Sequence, residues 1–177
     1  MSRADEASVG ALQEHAIDPA LEAPLPHDAR GAVVTVGTFD GVHRGHQQVL
    51  AALAAHAAEH GRRAVLATFD PHPLRVVRPE AAPPLLTTVE EKKEILAATG
   101  LEYAVFIPFT RTLQQYPARR FVEEILVGRL AMRELVIGYD HGFGRGREAG
   151  TDAMRELGRE LGFAVHVDEA VRAGADA

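Results

Sequence analysis

Two imidazoles with a glycine between them stand at His43 and His46, within the run Val33-Val34-Thr35-Val36-Gly37-Thr38-Phe39-Asp40-Gly41-Val42-His43-Arg44-Gly45-His46. Ring N–H groups at this i, i+3 spacing can donate hydrogen bonds to phosphoryl oxygens. Such bonds strengthen as negative charge builds on a leaving pyrophosphate. A zinc site drawing on His43, His46, His72 and Asp40 is the competing chemistry. The pattern is not H-E-x-x-H and the chain has no cysteine, so no metal ligand is assigned.

Phosphate chemistry requires a particular backbone beneath the two rings. The β-branched run Val33 to Val36 suits a buried strand, and Val49, Leu50, Leu53, Ala54 and Ala57 recur at helical spacing after Gly45. The histidines therefore fall where a loop turns into the first turn of a helix. There the backbone N–H groups are unpaired and the helix dipole is positive, which favours an anion. Gly37, Gly41 and Gly45 allow the backbone to approach a ligand closely.

Further strands follow in order. Gly61 sits where a helix should stop, and Ala64 to Phe69 reads as a strand ending in Thr68-Phe69-Asp70-Pro71-His72-Pro73. The two prolines fix the loop that holds His72 at the strand's carboxyl end, the edge at which open α/β sheets bind ligands. Residues 75–86 are proline-rich and long enough to cover a cleft. Thr87 and Thr88 are capping-box candidates for a helix running to about Thr99, with Gly100 as its stop and Lys92 and Lys93 on a solvated face. Tyr103 to Ile107 is the third strand, and Pro117 starts a helix with Phe121, Val122, Ile125, Leu126 and Leu130 on one side. Phe109 and Phe121 read as core.

Leu135 to Tyr139 is a fourth strand, followed by the glycine-rich loop Gly138-Tyr139-Asp140-His141-Gly142-Phe143-Gly144-Arg145-Gly146-Arg147. It is neither G-x-G-x-x-G nor a Walker sequence. Thr151 can cap a helix reaching Leu161 with Gly162 beyond it, and Ala164 to Val167 is a fifth strand. Strand and helix alternate five times with short connections, which predicts an α/β fold: a parallel five-stranded sheet with helices on both faces and right-handed crossovers.

The string G-T-F-D-G-V-H-R-G-H resembles the first signature of the nucleotidyltransferase superfamily, whose H-x-G-H turn grips the triphosphate of ATP or CTP. Within it, T-F-D-P-H-P, L-L-T-x-x-x-E-K-K and the Asp140 loop are similar to later signatures of the adenylyltransferase domain of bacterial bifunctional riboflavin kinase/FMN adenylyltransferase, the FAD synthetase domain. His141 and Gly142 depart from that pattern, which has Phe and usually Arg there. The resemblance implies a Rossmann-like nucleotidyltransferase fold and transfer of AMP from ATP to FMN, giving FAD and pyrophosphate, with Mg2+ bridging phosphate oxygens. It implies His43 and His46 as catalytic residues, and Gly37, Thr38, Phe39, Asp40, His43, Gly45 and His46 as the ATP site. Phe69, Pro71, His72, Pro73 and Asp140 are the implied flavin side.

Composition bounds the rest. The chain has 177 residues, 46% hydrophobic and 25% charged, which suits one α/β domain with a real core. A net charge of -6 argues against a general nucleic-acid binder, and no apolar stretch approaches the roughly 18 residues that a membrane helix needs. Absence of cysteine and of a signal-peptide pattern makes the cytoplasm the default. Residues 1–30 read as a flexible lead-in with one short helical turn near Leu12, 31–170 as the transferase domain, and 171–177 as a truncated tail. The family's fourth signature, Ser-Ser-Thr-x-x-Arg, and the riboflavin kinase domain that normally follows do not occur in the sequence, so a fragment is expected. Two other readings are carried forward: a module that binds flavin or ATP without transfer, and a histidine-metal hydrolase.

Overall fold

The run Ala32–Val36, apolar except for Thr35, is completely buried, as expected of a strand covered on both faces. It is the centre of a six-stranded sheet. The strands are β1 (Gln13–Ala16), β2 (Ala32–Val36), β3 (Arg63–Phe69), β4 (Tyr103–Ile107), β5 (Met132–Gly138) and β6 (Ala164–Asp168). They lie in the order β1-β4-β3-β2-β5-β6, and every neighbouring pair is parallel. The computed structural model describes residues 13–16, 29–37, 44–69, 80, 100–138 and 150–168, and only the backbone of 13–16, 44–47, 138 and 168. The proline-rich stretch and the helix expected from Thr87 or Thr88, with Lys92 and Lys93, lie outside the described residues.

Alternation along the strands divides the core in two. Val33, Ala64, Leu66, Ala104 and Val136 face helix α1 (Arg44–Glu59), which presents Val49, Leu50, Leu53 and Ala57. Val34, Val36, Val65, Ala67, Leu135 and Ile137 face the other way. They are covered by α2 (Arg111–Gln114), α3 (Ala118–Arg120) with its continuation Phe121–Val127, and α4 (Thr151–Leu161). Helices thus cover both faces. The expected core residues Phe121, Val122, Ile125, Leu126 and Leu130 are all buried, and Phe109 packs against them half-buried.

Three details differ from the sequence reading. Residues 13–16, placed in a flexible lead-in, pair with β4 as a sixth strand. Gln13-Glu14-His15-Ala16 carries no apolar alternation because it occupies a sheet edge, where only one neighbour constrains it. The helix after Pro117 widens to i→i+5 bonding over Phe121–Val127, with Gly128 N–H donating to Glu123 O at 3.0 Å and Leu130 N–H to Ile125 O at 3.1 Å. Thr151 is the first residue of α4 rather than its cap, a position held by Gly150.

The C-terminus of α1 is fixed by Gly61, whose φ of +63° favours glycine. Its N–H donates to Ala58 O at 3.3 Å, and the next N–H, from Arg62, donates to Ala57 O at 2.8 Å. These are the two bonds of a Schellman motif. Among the described residues, no helix is long and apolar enough to cross a membrane.

Candidate functional site

Strand order locates the cleft. From β2 the chain moves outward through β3 to β4, then returns to the opposite side of β2 as β5 and continues to β6. In parallel sheets, the loops leaving two adjacent strands in opposite directions leave a crevice at the carboxyl edge. That switch point lies between β2 and β5. The segment leaving β2 is 37–43 and the segment leaving β5 is 139–149; the one leaving β3 starts at 70, on the other flank of β2. The three segments singled out in the sequence, around His43, Asp140 and His72, are therefore the three that leave this part of the edge.

Helix α1 begins at Arg44, so His43 immediately precedes it and Gly45 and His46 belong to its first turn. The strand-loop-helix junction is thus present. Gly37 extends the ladder one residue past β2, donating its N–H to Ala67 O at 3.0 Å. Thr38, Phe39, Asp40, His43, Pro71, His72, Pro73 and Asp140 lie outside the described residues, as does the side chain of His46. Phe69 is the last residue of β3 and half-buried. Its ring stands 5.4 Å from that of Phe109, edge to face, and 6.0 Å from that of Phe121. These contacts fix one wall of the carboxyl edge on the face opposite α1.

A second polar constellation lies at the far end of α1 and was not foreseen. Glu134 of β5 has a side chain only 7% exposed, yet three imidazoles donate to its Oε1: His56 Nε2 at 2.7 Å, His166 Nε2 at 3.0 Å and His60 Nδ1 at 3.1 Å. Arg62 Nε stands 2.9 Å from Oε2. Burial pushes the Glu134 carboxyl up, but the bonds from His56, His166 and His60, with the charge of His56, outweigh it and bring the pKa from 4.5 down to about 2. The signal available in the sequence was His56 and His60 at i, i+4 in an expected helix, together with a glutamate inside an apolar strand.

The chain as a whole is similar to known proteins. The Escherichia coli K12 protein named bifunctional riboflavin kinase/FMN adenylyltransferase is 35% identical over 133 residues, which is 75% of this chain and 42% of that protein. The protein of the same name from Pseudomonas fluorescens is 35% identical over 147 residues, 83% of this chain and 47% of its own length. A relative from Geobacillus thermodenitrificans is 38% identical over 128 residues, 71% of this chain and 67% of its own. The chain thus spans about half the length of the first two relatives. Among solved structures, one described as a macrolide-efflux protein from Streptococcus pneumoniae superposes with a TM-score of 0.74 at 20% identity, covering 89% of this chain and 51% of that one. At that identity the likeness extends to the fold alone. A family model described as FAD synthetase matches residues 25–177, a span that takes in all three carboxyl-edge segments, and the chain belongs to that family.

Proposed function

We propose that this chain is an FMN adenylyltransferase, joining AMP from ATP to FMN to give FAD and pyrophosphate. The observation that carries the reading is the opening of α1 at Arg44, at the carboxyl edge and beside the β2/β5 crevice, in a chain of the FAD synthetase family. An FMN phosphate oxygen attacks the α-phosphorus in line, a new P–O bond forms, and the bond from the α-phosphorus to the bridging oxygen breaks, releasing pyrophosphate. The nucleophile is already an anion at neutral pH, so catalysis reduces to positioning and charge stabilisation. His43 and His46, with the unpaired N–H groups of the first turn of α1, stabilise the departing charge. Gly37, Thr38, Phe39, Asp40 and Gly45 line the nucleotide side, and Phe69, Pro71, His72, Pro73 and Asp140 the flavin side.

Mg2+, bound through the triphosphate oxygens, would supply neutralisation of their charge. Riboflavin kinase, the other activity in the relatives' names, is the reaction that supplies FMN. The setting is cytoplasmic, without nucleic acid or membrane, and the transferase unit of residues 31–170 extends back to include β1.

The test combines chromatographic detection of FAD with FMN fluorescence in the presence of ATP and Mg2+. FAD formation is expected, and His46→Ala should lower turnover by about two powers of ten or more, the usual effect of losing one preorganised donor. Quenching of FMN without product would replace transfer by binding alone. Unchanged turnover in His46→Ala would remove the histidine assignment.

A further inference from the structure

We propose that His56, Glu134 and His166, with His60 beside them, form a site for one late first-row divalent cation, Zn2+ foremost, which clamps the C-terminus of α1 to β5 and β6. The site lies away from the carboxyl edge. Helix α1 runs back from that edge to the start of β3, so its last turn, with His56, and His60 just past its end lie over the amino-terminal part of the sheet. Glu134 pairs there with Val33 and with Ala164, the first residue of β6.

Geometry and donor type both favour a cation. The ligand atoms of His56, Glu134 and His166 all lie within 4.8 Å of one another, and His60 Nδ1 is 3.1 Å from both carboxylate oxygens. A zinc ion bound at about 2.0–2.1 Å requires its ligands to stand about 3.4 Å apart in a tetrahedron. Moving the His56 and His166 nitrogens outward from 2.7 and 3.0 Å around Oε1, within a trio no wider than 4.8 Å, approaches that spacing. The existing arrangement is also crowded: one carboxylate oxygen offers about two lone pairs, and three ring nitrogens converge on it. A single cation between the His56 and His166 nitrogens would bind the same oxygen once and occupy both rings.

The surroundings suit a structural site. The Schellman motif fixes His60 and Arg62, and the strand register fixes Glu134 and His166. The Arg62 guanidinium, with Nε 2.9 Å from Oε2, places a positive charge beside the carboxylate and favours its ionised form. Side chains of His60 and His166 are each 41% exposed, which leaves an entry path from solvent. Two imidazoles with one carboxylate suit Zn2+, Ni2+, Co2+ or Cu2+ rather than Mg2+ or Ca2+, which prefer oxygen ligands.

The full chain, stripped with a chelator, is titrated with Zn2+ against a chromophoric competitor, and in parallel with Co2+ as an optical probe. One equivalent of Zn2+ per chain is expected, with intense visible bands from four-coordinate Co2+ and a rise in the melting temperature. His166→Ala removes one ligand at a half-exposed position, and His56→Ala removes the other histidine. Each should weaken Zn2+ by about tenfold or more and abolish the thermal shift, while their metal-free melting curves report whether they remain folded. A His43→Ala/His46→Ala double variant, which touches the other histidine pair, should keep full Zn2+ affinity. Failure to bind Zn2+, or binding unchanged by His166→Ala and His56→Ala, would overturn the site and leaves the adenylyl-transfer reading untouched.

Discussion

Replacing Gly158 with alanine sets two sizeable effects against each other. Alanine in a helix interior is favoured over glycine by about 1 kcal/mol. Yet a Cβ on Gly158 would stand 2.3 Å from the carbonyl oxygen of Phe163 and 3.4 Å from its carbonyl carbon. The oxygen belongs to backbone leading into β6 and cannot rotate aside. Forcing extra volume into such a contact costs about 1–3 kcal/mol. The shift also loosens the bonds by which Gly158 O accepts from Gly162 N–H at 2.8 Å and Phe163 N–H at 3.0 Å, each worth about 1 kcal/mol. The clash therefore wins, and Gly158→Ala should destabilise the protein by about 1–3 kcal/mol. Urea unfolding followed by circular dichroism measures this as a lower midpoint at unchanged slope. A variant as stable as the parent would show that α4 and β6 are not packed this closely.

Other substitutions probe separate parts of the frame. Leu53→Ala empties a fully buried position between α1 and the sheet and should cost about 2–5 kcal/mol by the same unfolding assay. Thr110→Ala removes the hydroxyl that accepts from Leu113 N–H at 3.1 Å and should cost about 1 kcal/mol. Ala131 sits at φ +54°, where a side chain costs about 1–2 kcal/mol. Ala131→Gly should raise the melting temperature, since glycine's larger unfolded-state entropy offsets only about 0.4–1 kcal/mol of that relief.

The fold was legible where local chemistry and global position agree. Apolar runs such as Val33 to Val36 can only be strands buried on both faces, and Gly61 and Gly162 mark helix ends because the chain there turns left-handed, at φ +63° and +86°. β1 was illegible for the converse reason: Gln13-Glu14-His15-Ala16 is a strand because β4 offers it an edge, and nothing local demands it. The proposed phosphate site rests on the motif itself, H-x-G-H after a strand and a glycine, because most of its residues lie outside the described ones. The Glu134 constellation was not, because its members are separated by up to 110 positions, His56 to His166, and only the β5/β6 pairing and the end of α1 bring them together.

Helix α1 runs from the proposed phosphate site to the Glu134 constellation, and its packing says how far the two should communicate. Its sixteen residues extend about 24 Å, with His46 in the first turn, His56 in the last and His60 just past its end. What sets its position is the stripe Val49, Leu50, Leu53 and Ala57 against the sheet, with Leu50 and Leu53 fully buried. Burying such side chains contributes about 1.5–3 kcal/mol each, whereas a half-exposed imidazole hydrogen bond contributes about 1 kcal/mol. Loosening the polar end should therefore leave the placement of His46 unchanged. In His166→Ala without added metal, the melting temperature should fall slightly while the FAD-forming turnover stays within about twofold, a barrier change of about 0.4 kcal/mol. A tenfold drop in turnover in a variant that still melts cooperatively would mean that the far end of α1 governs the phosphate end, and that the apolar stripe does not hold the helix rigidly.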